Sequence, residues 1–231
     1  MKKLAVFVEG NTELIFVEQL LLQIAGYQDI TIDRQVMHGG RLKTLYGSGS
    51  KRGSERFHAL LVNCESDGKV KPAILERKDT LKAQGYDPII GLRDLYPDFK
   101  REQLHGILPA LQVGLDDADA LIAIVVAVME IETWFLKEWT HLERISPKLT
   151  LATIQEATGI DLHSQVGEAI AHPADLLDTI YKIAGKRYKK KSADAHRTVH
   201  HLDFARLYFE IRNELGALNE LMSYIDAFLS P

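Results

Sequence analysis

Acidic side chains follow apolar runs at several points of this chain, and that pairing is where chemistry could lie. Leu4 to Val8 is an unbroken apolar run that stops at Glu9. Phe57 to Val62 runs into Asn63, Cys64, Glu65, Ser66 and Asp67. Pro88 to Leu92 leads to Arg93 and Asp94, and Ala120 to Met129 leads to Glu130, Ile131 and Glu132. Short runs of this kind predict strands buried on both faces. If the strands are parallel, their carboxyl ends share one edge, where open α/β sheets bind ligands. Glu9, Glu65 or Asp67, Asp94, and Glu130 or Glu132 would then meet there. Carboxylates brought that close repel unless a cation or a proton holds them. An all-oxygen set favours Mg²⁺ or Mn²⁺ over zinc. Each acid taken alone is equally what a solvated turn would carry.

The elements that must position these acids are legible by period. Gly10 lets the chain turn tightly after Glu9. Asn11 is placed to cap a helix from Thr12 to Ala25, with Glu13 in its first turn, where negative charge suits the helix dipole. Leu14, Val17, Leu21 and Ile24 line one stripe of that helix, and Gly26 stops it. Ile30 to Met37 predicts a strand with one more exposed face, and His38 to Ser54 a long basic loop. Pro72 opens a helix that runs to about Ala83. Lys100 to Val113 predicts a helix with Leu104, Ile107, Leu108 and Leu111 inward and Pro109 placed to kink it. Ala120 to Met129, the most apolar run, predicts the central strand.

This alternation predicts an α/β fold, a mainly parallel sheet flanked by helices, over residues 1–139. Residues 140–231 predict a C-terminal helical cap. Ile131, Trp134, Phe135, Trp139 and Leu142 have the spacing of a helix packed on the sheet, and Pro147 ends it. Shorter helices follow near Leu151 to Ala157 and Ala174 to Ala184. Asp203 to Leu229 reads as one long amphipathic helix.

Composition sets limits on function. The chain has 231 residues, of which 46% are hydrophobic and 26% charged, enough for a sizeable core. Cys64 is the single cysteine, so no intrachain disulfide can form, which suits a reducing compartment. The apolar run behind Met1-Lys2-Lys3 is too short for a secretion signal, and Ala120 to Met129 too short for a membrane span. A cytoplasmic location is expected. Net charge is −4 but uneven. Residues 38–56 carry five Lys/Arg against one Glu, and residues 182–201 seven against one Asp, leaving −14 for the rest. Two basic stretches on an acidic body suggest a polyanion, and equally suit solvated loops. Gly47 to Gly53 does not match the phosphate-binding Walker pattern. His196 and His200, four apart, lack the carboxylate between them that the zinc-protease pattern requires.

The run Val8-Glu9-Gly10-Asn11-Thr12-Glu13 after a short strand resembles the first motif of TOPRIM domains, found in topoisomerases, primases and OLD-type nucleases. Gly91 to Pro97, Met129 to Leu136 and Tyr188 to Lys191 are similar to a narrower bacterial TOPRIM-like family. Its members are often found beside ATPases in phage-defence loci. The resemblance spans nearly the whole chain on short motifs. It implies a Mg²⁺- or Mn²⁺-dependent nuclease, with Glu9 as metal ligand or general base and Asp94 and Glu132 as ligands. Glu130 is the alternative to Glu132. The family's Asp-x-Asp pair falls on Leu92 and Asp94, with Glu65 and Asp67 as the other acidic-x-acidic option. Lys43, Arg52, Lys189 and Lys190 would hold a DNA or RNA backbone. The alternative is a non-catalytic module of the same shell that binds or regulates a partner ATPase.

Overall fold

Leu4 to Val8 has no group that needs water, and its alternate side chains serve two cores. In the computed structural model, Leu4, Val6 and Val8 pack on one face of the sheet and Ala5 and Phe7 on the other. The structure describes residues 1–26, 29–38, 41–45, 47–50, 53, 55–165 and 167–230. Among these, the first half of the chain forms β1 (Lys2–Val8), α1 (Asn11–Ala25), β2 (Ile30–His38), β3 (Arg41–Thr44), β4 (Ser48–Gly49), β5 (Phe57–Asn63), α2 (Val70–Ala83), β6 (Tyr86–Asp94), α3 (Leu104–Gln112) and β7 (Ile122–Ala127). Helices follow: α4 (Glu132–Lys137), α5 (Thr140–Ile145), α6 (Leu151–Thr158), α7 (Pro173–Ile183), α8 (Ser192–Val199), α9 (Phe204–Phe209) and α10 (Gly216–Leu229). No helix of the described residues is long and apolar enough to cross a membrane.

The fold is α/β. The sheet order is β3-β2-β5-β1-β6-β7, with β4 also beside β2. β2, β5, β1, β6 and β7 are parallel, while β3 and β4 run antiparallel to β2. Helix α1 and the C-terminal helices cover one face, and α2 and α3 the other. One hydrophobic cluster joins β1, α1 and β7 to residues as far along as Phe228.

Several expectations are corrected. The most apolar strand, β7, is at the edge of the sheet, where β6 is its partner among the described residues, and β1 lies near the centre. Its apolar run reports two covered faces, with Val125 in one core and Ile124 and Val126 in the other. Asn11 does not cap α1: Gly10 holds that position, and Asn11 Oδ1 accepts from Asn63 Nδ2 at the end of β5, 3.0 Å away. The basic stretch after His38 is partly strand, since β3 and β4 both pair along β2. Leu104, Ile107, Leu108 and Leu111 face the second core but stay partly exposed, on a helix that begins only at Leu104.

The long last helix is broken. A tight turn at Ile211–Asn213 and an extended Leu215 separate α9 from α10. Ile211 and Leu215 remain in the core, which preserves the apolar spacing across the break. Arg212 Nη1 closes the corner on Asp226, 2.9 Å away in α10. The aromatic helix is divided as well, into α4 and α5 at Glu138, which is fully buried. Its carboxylate accepts from the Thr140 hydroxyl, from Asp203 N at 3.1 Å and from Arg144 Nη2 at 3.2 Å, with Arg206 Nη1 at 3.7 Å. Removing this carboxylate leaves the Asp203 N–H and Arg206 Nη1 without their partner, while Arg144, 42% exposed, turns to water. Glu138→Ala is therefore expected to cost about 2–4 kcal/mol of stability in urea unfolding. A cost under ~1 kcal/mol would show that water replaces the carboxylate.

Candidate metal centre

After β1 the chain enters α1 on one face of the sheet, and after β6 it heads for α3 on the other. The connections part between these two neighbouring strands. A crevice opens at such a point, at the carboxyl ends of the strands. Glu9 and Asp94 flank it, and Asp94 N donates to Glu9 Oε2 at 2.7 Å. The turn after β7 closes the third side, where Ile131 N donates to Asp94 Oδ1 at 2.8 Å. Glu13 comes from the first turn of α1. A Cβ on Gly10 would lie 2.9 Å from Glu13 Oε2, so the glycine makes room for that carboxylate.

Five buried acids result, Glu9, Glu13, Asp94, Glu130 and Glu132, with Asp94 1% and Glu132 0% exposed. They form two overlapping groups. Oxygens of Glu9, Glu13 and Asp94 lie within 4.8 Å of one another, as do oxygens of Asp94, Glu130 and Glu132. Asp94 belongs to both.

A strap between α7 and α8 delivers a cation to these acids. Lys190 Nζ is 2.9 Å from Glu130 Oε1, 3.1 Å from Glu132 Oε2 and 3.3 Å from Asp94 Oδ2. Tyr188 donates its hydroxyl to Glu132 Oε1 at 2.7 Å. Glu130 Oε2 accepts from Ala174 N, in the first turn of α7, at 3.0 Å. Glu132 Oε2 is buried without a hydrogen bond, facing Lys190 Nζ at ion-pair distance only.

The electrostatics follow from burial. Asp94 is pushed well above the usual carboxylate range, first by burial and then by the charges of Glu9 and Glu13. Burial likewise raises Glu132, against the pull of the Lys190 ammonium. Burial would favour neutral Lys190, but Glu132, Asp94 and Glu130 outweigh it and keep the ammonium charged. A cleft of about 310 Å³ opens onto Glu130 and Lys190 between Tyr96, His172, Tyr188 and Lys189.

The remaining expected residues are placed elsewhere. Glu65 is exposed at the end of β5 and joins neither acidic group. The Asp67 side chain and Arg52 lie outside the described residues. Lys43 is exposed on β3. Lys189, expected on a nucleic-acid backbone, lies 3.0 Å from Asp178, and Lys190 turns into the acids. Lys182 and Arg187 also pair with Asp178, so much of the second basic stretch is compensated within the fold. His196 and His200 face each other at 3.4 Å, and no third ligand joins them among the described residues.

Glu13, Tyr188 and Asp178 were not foreseen as parts of the site. Glu13 carried one signal, a second carboxylate four residues after Glu9 across a glycine, which the helix dipole explains equally well. Comparison of the chain with protein-family models, with curated proteins and with solved structures returns no match.

Proposed function

We propose that this protein is a divalent-metal-dependent nuclease that hydrolyses phosphodiester bonds of nucleic acid, as its resemblance to TOPRIM proteins implies. The observation that carries the reading is Asp94, a buried carboxylate shared by two groups of acids at the switch point of a parallel sheet. The donor set is entirely carboxylate oxygen, which fits Mg²⁺ or Mn²⁺. Glu9, Glu13 and Asp94 would hold the ion. When bound, such an ion polarises a phosphate and makes its water a stronger nucleophile. Glu9 would act as metal ligand or general base. Asp94 fixes Glu9 through its own N–H. Burial keeps bulk water from the acids, which strengthens every charge interaction within the site. Lys43 is an exposed contact for the nucleic-acid backbone, through which binding would weaken as salt rises.

The test is cleavage of single- and double-stranded DNA and RNA by metal-stripped protein resupplied with Mg²⁺ or Mn²⁺. Wild type is expected to cut at least one of these. Glu9→Gln is expected to cut it about 10² to 10⁴ times more slowly, the range of a lost general base. No cleavage of any substrate, or full activity in the variant, rejects the reading.

The alternative, a non-catalytic module serving a partner ATPase, is favoured by one observation: Lys190 already neutralises part of the acidic cluster. It gains if calorimetry shows no Mg²⁺ or Mn²⁺ uptake and a phenotype depends on the partner alone.

A further inference from the structure

We infer that Lys190 is a built-in cation: its ammonium holds the second of two adjoining cation positions, so that the centre takes at most one divalent ion. The inference rests on the divalent-metal reading for the first position, at Glu9, Glu13 and Asp94, and on Lys190 alone for the second.

The geometry is that of a replaced ion. Lys190 Nζ stands 2.9 to 3.3 Å from oxygens of three residues, Glu130, Glu132 and Asp94. Those residues also present three oxygens within 4.8 Å of one another. Oxygens around a Mg²⁺ ion, at about 2.1 Å from it, lie roughly 3–4 Å apart. These three carboxylates could close on a divalent ion by small shifts, in the volume that Nζ fills. Glu132 Oε2 is buried, and the charge that faces it is the Lys190 ammonium, 3.1 Å away. A buried lone pair is costly unless such a charge faces it.

The lysine is held there by its neighbours on the strap. Its backbone is left-handed, φ 53°, a conformation that favours glycine. Lys189 N donates to Asp194 Oδ2 at 2.9 Å, and Tyr188 N to Asp178 Oδ1 at 2.9 Å. On the other side Lys191 O accepts from Asp194 N at 2.9 Å and Ala195 N at 3.0 Å, so the side chain is delivered by a backbone fixed before and after it, unlike a surface lysine that happens to fall on an acid. Its charge needs no metal supply, and it leaves the Glu9 position for the exchangeable ion.

The experiment counts Mn²⁺ bound per chain by titration calorimetry and by electron paramagnetic resonance of the free ion. Wild type, Lys190→Gly and Lys190→Gln are compared. Glycine suits the left-handed backbone, and glutamine keeps the polar reach without the charge. Circular dichroism establishes that each variant is folded. Each folded variant is expected to bind one more Mn²⁺ than wild type, with a larger rise in melting temperature on adding Mn²⁺. Two ions in wild type overturn the inference, whether or not the variants fold. Equal stoichiometry in folded variants also overturns it, because protons would then have replaced the ammonium. One ion in wild type and one in the variants leaves the nuclease reading standing and removes this one. None in wild type and one in the variants does the reverse.

Discussion

Asp94→Asn is expected to abolish divalent-ion binding and slow cleavage about 10³-fold, while leaving the metal-free protein at least as stable as wild type. The functional loss follows from sharing. Asp94 is the one acid common to both groups, so its charge is lost from each. A thousandfold corresponds to roughly 4 kcal/mol of transition-state stabilisation, within what a bound metal supplies. The stability side follows from the sign of its shift. Burial, then Glu9 and Glu13, raise the folded pKa of Asp94 above its unfolded value. Between those two values the native state binds the extra proton, so stability falls as pH rises. Without metal, this upward shift makes the fold less stable at neutral pH than in mild acid. Asparagine removes that charge and still accepts the Ile131 N–H, while Lys190 keeps Glu130 and Glu132. Urea unfolding in chelator should show wild type gaining stability from this group on mild acidification, and the variant gaining less. Unchanged Mn²⁺ affinity in the variant, or a loss of more than ~2 kcal/mol of stability, would overturn the assignment.

This opposition of stability and function bears on what could be read from the chain. Glu9, Asp94, Glu130 and Glu132 were legible because each ends an apolar run, and a parallel sheet brings such ends to one edge. Glu13 was not, since an acid in the first turn of a helix already has a local reason to be there. Lys190 was counted as one charge of a basic stretch. Only the path of the strap decides that it points inward, and residues 185–191 have no periodicity to reveal a path. The order of strands was hidden for a related reason. Apolarity reports how many faces are covered, so edge strand β7 reads as more central than β1. The break between α9 and α10 was hidden because Ile211 and Leu215 keep the spacing of a continuous helix. In each case the local pattern was genuine and a contact distant in sequence decided its meaning.

At the strap's anchor one such contact bears on both the fold and the site. Asp178 is 3% exposed in α7 and holds the strap at several points. Oδ1 accepts from Tyr188 N at 2.9 Å and Arg187 Nε at 3.0 Å, and Oδ2 lies 3.0 Å from Lys189 Nζ and 3.1 Å from Lys182 Nζ. Burial alone would raise its pKa, but these donors outweigh burial and hold it well below the usual carboxylate range. A depressed folded pKa contributes stability that is fully present above the unfolded value, about 3.9, and is lost as pH falls through the folded one. Asp178→Asn is expected to cost about 2–3 kcal/mol at neutral pH, less than a wholly buried cluster because its cationic partners are about half exposed. The gap to wild type in urea unfolding should stay constant from pH 7 to about pH 4 and narrow only below that. A gap that closes between pH 7 and 5 would assign the stabilisation to another group. The functional effect separates this anchor from an ordinary buried acid. Asparagine can still accept the Tyr188 N–H, so the strap loosens before the core does, and Lys190 loses its fixed approach to Glu130, Glu132 and Asp94. The variant should therefore take up Mn²⁺ as Lys190→Gly does, but more weakly, because its lysine still competes. Destabilisation with wild-type Mn²⁺ stoichiometry would show that Asp178 supports the fold without positioning the cation.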